Sequence, residues 1–155
     1  MNVYIAYGTA ADQVTALRLQ ALAAVNGLTV YVPPAHTRRS SEGTEAPLQS
    51  ESKLIESDVV LGVVTVGVSD TCWRELNAGK RLGKTMVVMT PPTLMTQLES
   101  HFPGCIVVID EADPGRSELE LVRFLKKADM QQQSKKAVMA LSTIALGLLL
   151  LSAHE

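Results

Sequence analysis

The stretch Ser69-Asp70-Thr71-Cys72-Trp73-Arg74-Glu75-Leu76 follows directly on the apolar run DVVLGVVTVGV and leads into NAGKRLGK. A carboxylate one helical turn inside a segment launched from a buried strand is either a solvated surface charge or an acid looking into a cleft. In a cleft it can stabilise a developing cation. Its neighbours are the other groups able to do chemistry. Ser69 suits the N-cap of the segment, and the free amides of that first turn favour a polar or anionic ligand group. Trp73, the only tryptophan, is either core packing or a stacking face for a base. Cys72 reads as a small buried hydrophobe, because no histidine is placed to ionise it. A second group, Tyr7, Gly8 and Thr9, ends the first β-prone run. Asp12 follows it, either complementing the dipole of a helix or touching a ligand. A third pair, Arg38 and Arg39, lies in the polar stretch PPAHTRRSSEGTEAP. They are surface charges or, over a crevice, forks for phosphate.

Other chemistries lack their residues. There is no GxGxxG, no Walker loop and no serine nucleophile elbow, so dinucleotide redox chemistry, P-loop hydrolysis and α/β-hydrolase chemistry are unsupported. Cys72 and Cys105 are the only cysteines. With no CxxC and with His36, His101 and His154 isolated, no metal site is expected, and a reducing compartment follows. A formal charge of -2 offers no basic field for nucleic acid, which is not expected as a partner.

These groups must be positioned by a fold, and the pattern of apolar runs predicts one. The chain has 155 residues, enough for one domain with a substantial core. Strands are predicted at 3–7, 29–32, 58–66, 85–89 and 105–109. Helices are predicted at 11–26, 49–57, 70–82, 94–100 and 117–127. In the first helix Val14, Leu17, Ala21, Leu22 and Val25 form the expected inward stripe, closed by Gly27 as a left-handed cap. Leu54 and Ile55 are expected inward in the second. Ser117-x-x-Glu120 reads as the capping box of the last. Five alternations of strand and helix imply an α/β fold with a parallel sheet covered on both faces. Right-handed crossovers make the flavodoxin-like order 2-1-3-4-5 the expected topology. Ligands are then expected beyond the carboxyl ends of the strands, at the switch point between strands one and three.

The N-terminal MNVY enters a strand with no basic and apolar leader pattern, so no signal peptide is expected. Residues 137–153, AVMALSTIALGLLLLSA, carry no charge. They follow a polar linker, 129–136, that separates them from the domain at 1–128. An all-round apolar helix of this length fits a transmembrane tail anchor. The upstream Lys126, Lys127, Lys135 and Lys136 would keep the domain on the cytoplasmic side of the inner membrane. The other reading is a packed or oligomer-forming helix.

The segments VYIAYGTAADQVTALRLQALAAVNGLTVYVPP and IESDVVLGVVTVGVSDTCWRELNAGKRLGKTMVVM, in that order and spacing, resemble a Toll/interleukin-1 receptor (TIR) domain of the bacterial defence type. SDTCWREL is the most specific part of the likeness, which covers about residues 2–110. The resemblance implies a flavodoxin-like fold, self-association, and cleavage of the nicotinamide–ribose bond of NAD+, which is substrate rather than cofactor. The products would be nicotinamide with ADP-ribose or a cyclised ADP-ribose. Glu75 matches the catalytic glutamate of the family; Tyr7, Gly8, Thr9, Arg38, Arg39, Ser69 and Trp73 are the expected substrate contacts around it, the two arginines by their place in a loop that matches no family pattern. An oxocarbenium-like transition state suits a lone carboxylate, and nicotinamide leaves as a neutral ring that needs no strong acid.

Two alternatives remain open. Nucleoside deoxyribosyltransferases are similar in having a glutamate after the third strand, there a nucleophile. A pattern such as Asp-Ser-Gly-Thr is expected before it, where this chain has Ser69-Asp70-Thr71-Cys72. The other is a non-enzymatic assembly module, or an effector that damages membranes through 137–153, whose small residues Ala140, Ser142, Ala145 and Gly147 allow close helix packing.

Overall fold

The computed structural model describes residues 1–35 and 48–130. In chain order the elements are β1 (Asn2–Tyr7), α1 (Ala10–Val25), β2 (Thr29–Tyr31), α2 (Leu48–Glu56), β3 (Val59–Val63), α3 (Asp70–Arg81), β4 (Thr85–Thr90), α4 (Pro92–His101), β5 (Ile106–Val108) and α5 (Pro114–Met130). All strand pairs are parallel, in the order β2-β1-β3-β4-β5. This is the predicted flavodoxin-like sheet with helices on both faces.

Alternation along the strands divides the core in two. Val3, Ile5 and Tyr7 of β1, with Val59, Leu61 and Val63 of β3, face α1 and α5. Tyr4, Ala6, Val60 and Val64 face the opposite layer, where Leu54 of α2, Cys72 and Leu76 of α3, and Leu98 of α4 pack. Parity in β1 therefore sends the side chains of Tyr4 and Tyr7 to different sides of the sheet, which decides which tyrosine can reach α3. As predicted, Gly27 closes α1 with a φ of +75°, a left-handed conformation that costs a glycine little.

Three local expectations are corrected. In α1 the buried residues are Asp12, Ala16, Leu19 and Ala23. Val14, Leu17 and Val25 of the predicted inward stripe are 56%, 47% and 88% exposed. The helix is apolar on several sides, so periodicity alone leaves its rotation open. Long-range polar contacts settle it: Asp12 is held by Thr65 at the exit of β3, and Arg18 reaches across to Glu118 of α5 with Nη2 at 2.5 Å from Oε1. In α2, Leu54 is buried as expected but Ile55 is 53% exposed. Finally, α5 begins at Pro114 rather than at a Ser117 cap. The Asp113 carboxylate accepts from the Arg116 amide at 3.2 Å. Ser117 instead accepts from the Asp110 amide, and Glu120 pairs with Arg116.

The helix α5 continues through Asp129, whose carboxylate pairs with the N-terminal amine of Met1 at 2.8 Å, to Met130. Residues 131–136 of the expected linker and the apolar run 137–153 lie outside the described residues. Among the described residues no helix is long and apolar enough to cross a membrane.

Candidate active site

The helix α3 carries the acid, and its start is set locally. The Ser69 hydroxyl accepts from the Cys72 amide at 3.2 Å, as the predicted N-cap does. From there the helical period places Thr71, Cys72, Glu75, Leu76 and Gly79 on the buried face. Gly79 lets α3 approach the sheet closely, since a β-carbon there would stand 2.8 Å from Cγ2 of Val60. That approach brings the Glu75 carboxyl over β1, where the Tyr4 hydroxyl donates a hydrogen bond to its Oε2. Glu75 is 7% exposed. Burial pushes its carboxyl up to about 9 from an ordinary 4.5, because a carboxylate loses hydration in the interior while a neutral acid loses little. At neutral pH the site therefore holds a proton, which a positive charge arriving nearby would drive off.

The carboxyl faces a cavity of about 730 Å³ between α2 and α3, a size suited to a small molecule. Tyr4 and Glu75 line it together with Ser50, Leu54, Arg74 and Arg81. A second polar pair lies beside the first. The Tyr4 and Tyr31 rings are 5.6 Å apart, and the Tyr31 hydroxyl is 3.2 Å from Oγ of the buried Ser50. Apolar residues with a buried acid and a few convergent polar and charged groups are the usual makeup of a small-molecule site.

The other residues singled out from the sequence fall elsewhere. Trp73 is on the flank of α3 toward α4, edge-on to His101 at 4.7 Å and to Phe102 at 5.7 Å. It packs between helices, and Cys72 is buried in the apolar cluster. The Tyr7 hydroxyl donates to the Pro33 carbonyl at 2.5 Å, on the α1 side of the sheet. Gly8 and Ser69 do meet at the switch point, so closely that a β-carbon on Gly8 would overlap the Ser69 hydroxyl. Thr9 caps α1 by accepting from the Asp12 amide at 3.2 Å. Asp12 accepts from both the amide and the hydroxyl of Thr65, tying the turn after β1 to the exit of β3. Its burial raises its pKa against the lowering effect of those hydrogen bonds. The switch point is thus a knot of direct contacts; the cavity, which the sequence pattern places beyond the carboxyl ends of the strands, is lined instead from Tyr4, α2 and α3 and runs along α3 to Arg81 and Leu82, toward the amino end of β4. Arg38 and Arg39 lie outside the described residues.

Sequence reasoning missed Tyr4, Ser50, Arg74 and Arg81. A signal for Tyr4 existed: right-handed crossovers put α2 and α3 on one face, and strand parity separates Tyr4 from Tyr7. The pairing of Ser50 with Tyr31 had none.

No family model matches the chain, and no curated protein matches it. Solved structures do. The RpiR transcription factor from Sphaerobacter thermophilus (sugar isomerase domain) matches at 14% identity over 90% of this chain and 75% of that one, with a TM-score of 0.54. A 2-deoxyribosyltransferase from Bacillus psychrosaccharolyticus matches at 18% identity over 59% of this chain and 73% of that one, with a TM-score of 0.48. A WrbA-like flavodoxin protein from Agrobacterium tumefaciens matches at 10% identity over 84% and 98%, with a TM-score of 0.46. At these identities the likeness is one of fold.

Proposed function

We propose that this protein is a TIR-type enzyme that cleaves the nicotinamide–ribose bond of NAD+, with Glu75 as its catalytic residue. The observation that carries the reading is the buried Glu75 carboxyl, held by the Tyr4 hydroxyl and lining a cavity of about 730 Å³. The nicotinamide ring of NAD+ is a cation. Brought against Glu75 it favours the ionised carboxylate, and the released proton leaves to solvent. The bond between C1′ of the ribose and the ring nitrogen then breaks with its electron pair going to the ring, which departs neutral. Positive charge passes to the ribose as an oxocarbenium-like species, beside a carboxylate whose attraction is little screened in so dry a site. Water adding to C1′ and losing a proton gives ADP-ribose; attack by a nucleophile of the same molecule gives a cyclised product. Tyr4 holds the carboxylate through both protonation states.

In the same proposal the domain self-associates and is tethered to the inner membrane by 137–153, facing the cytoplasm. If the source is bacterial, its role is antiphage defence by nucleotide signalling or NAD+ depletion. The test is nicotinamide release from NAD+ by the purified full chain at high protein concentration, followed by chromatography. Activity is expected in the wild type and absent in Glu75→Gln. A fully active Glu75→Gln enzyme refutes the mechanism. Base exchange between deoxynucleosides with NAD+ untouched would make Glu75 the nucleophile of a deoxyribosyltransferase. Cellular toxicity that survives Glu75→Gln but not removal of 137–153 would place the activity in the tail.

A further inference from the structure

Arg74 and Arg81 lie seven residues apart on α3, about 10 Å along a helix rising about 1.5 Å per residue. Both line the cavity that Glu75 faces. Neither guanidinium makes a hydrogen bond or an ion pair with a described residue, although Asp70 precedes Arg74 by one helical turn, the spacing at which exposed pairs commonly form. The cations on the neighbouring flank are engaged. The Lys80 amine donates to the His101 carbonyl at 2.8 Å, and Lys84 donates to the carbonyl of Ile55 at 2.5 Å. Across the groove, α2 contributes one acid to the lining, Glu51. With Glu75 uncharged at neutral pH, the two guanidiniums outnumber it.

We infer that Arg74 and Arg81 form an anion subsite for the phosphates of the substrate, so that the cavity selects a nucleotide diphosphate over the corresponding nucleoside. The inference rests on the reading of Glu75 as the acid that meets the reacting ribose. With C1′ at Glu75, the diphosphate of a dinucleotide lies a few ångströms further along the groove, within the sweep of two flexible arginine side chains. Guanidinium forks bind phosphate oxygens in pairs and stay charged at every relevant pH. Glu51, on the opposite wall, is suited to accept from ribose hydroxyls. The subsite is built from residues of α3 itself, independently of Arg38 and Arg39.

Two measurements on the full chain separate this inference from the proposed reaction. Calorimetric titration with ADP-ribose, and with adenosine as the uncharged control, reads the subsite without any chemistry. Wild type and Glu75→Gln should both bind ADP-ribose, and the double variant Arg74→Gln/Arg81→Gln should bind it at least tenfold more weakly, with adenosine affinity unchanged. Circular dichroism and thermal melting check that the variant is folded. Cleavage of NAD+ is then compared with cleavage of nicotinamide riboside, which has the same scissile bond and no diphosphate. The double variant should lose at least tenfold in kcat/KM for NAD+ through KM, and change less than twofold for the riboside. Undiminished ADP-ribose binding by the folded double variant, or no binding by wild type, overturns the subsite. Lack of cleavage of either compound, with ADP-ribose binding intact and arginine-dependent, refutes the reaction and leaves the subsite standing.

Discussion

Replacing Glu75 by Gln should make the protein more stable while abolishing its proposed activity. The side chain keeps its shape, and its amide oxygen still accepts from the Tyr4 hydroxyl, so the change removes chiefly the ability to ionise. In the native state the Glu75 carboxyl holds its proton up to about pH 9, whereas in the unfolded chain it releases it near 4.5. Between those values the unfolded state binds fewer protons than the native state, so stability falls as pH rises, by about 1.4 kcal/mol per unit. The full window amounts to about 6 kcal/mol, and about 3 kcal/mol of it has been lost by pH 7. Set against a typical domain stability of about 5–15 kcal/mol, that is a large effect for a single group. Urea unfolding of wild type and Glu75→Gln at half-unit steps from pH 4.5 to 9 measures it. The difference between the two should be near zero at the acid end and grow in favour of the variant by about 3 kcal/mol at pH 7. A difference that stays flat across the window, or a variant less stable than wild type at pH 8, would refute a buried protonated acid at this position.

Other expectations follow from the same geometry. If the ionised Glu75 stabilises the transition state, kcat/KM for NAD+ should rise with pH toward a limb near 9; a limb between pH 4 and 5 would contradict the burial of the free enzyme's carboxyl. Tyr4→Phe removes the hydroxyl that donates to Glu75; the limb should move further alkaline and stability at pH 7 fall by about 1 kcal/mol, as denaturant unfolding would report. Gly8→Ala drives a β-carbon into Ser69 and should cost about 1–3 kcal/mol. Ser69→Gly in the same chain should recover part of that loss in thermal melts, a less than additive double cycle. Arg18→Met strips the cation from Glu118, which is 4% exposed, and should cost about 2 kcal/mol. Adding Glu118→Gln to Arg18→Met should restore some of it, whereas no rescue would mean that the arginine stem, rather than its charge, matters.

Much of this architecture is written into the chain as local pattern. Apolar runs of strand length alternate with helical periods, and with right-handed crossovers that is sufficient for the order β2-β1-β3-β4-β5. Gly27 as a left-handed cap and Ser69 as an N-cap are likewise local, since each depends on the backbone within a turn of itself. Even the inward direction of Glu75 was latent in the spacing of Cys72, Glu75, Leu76 and Gly79. Tertiary structure alone decided what those faces meet. The rotation of α1 was set by Asp12 on Thr65 and Arg18 on Glu118, contacts between residues far apart in the chain. Trp73 went to the α4 flank and Arg74 to the α2 groove because neighbouring positions on a helix point about 100° apart, and only the placement of flanking helices says which side holds the cavity. The pairing of Glu75 with Tyr4 rather than Tyr7 depends on strand parity together with the close approach of α3 at Gly79. Burial of that carboxyl, and with it the raised pKa, is a property of the packed fold, because the desolvation that causes it exists only once helix and sheet have closed over the acid.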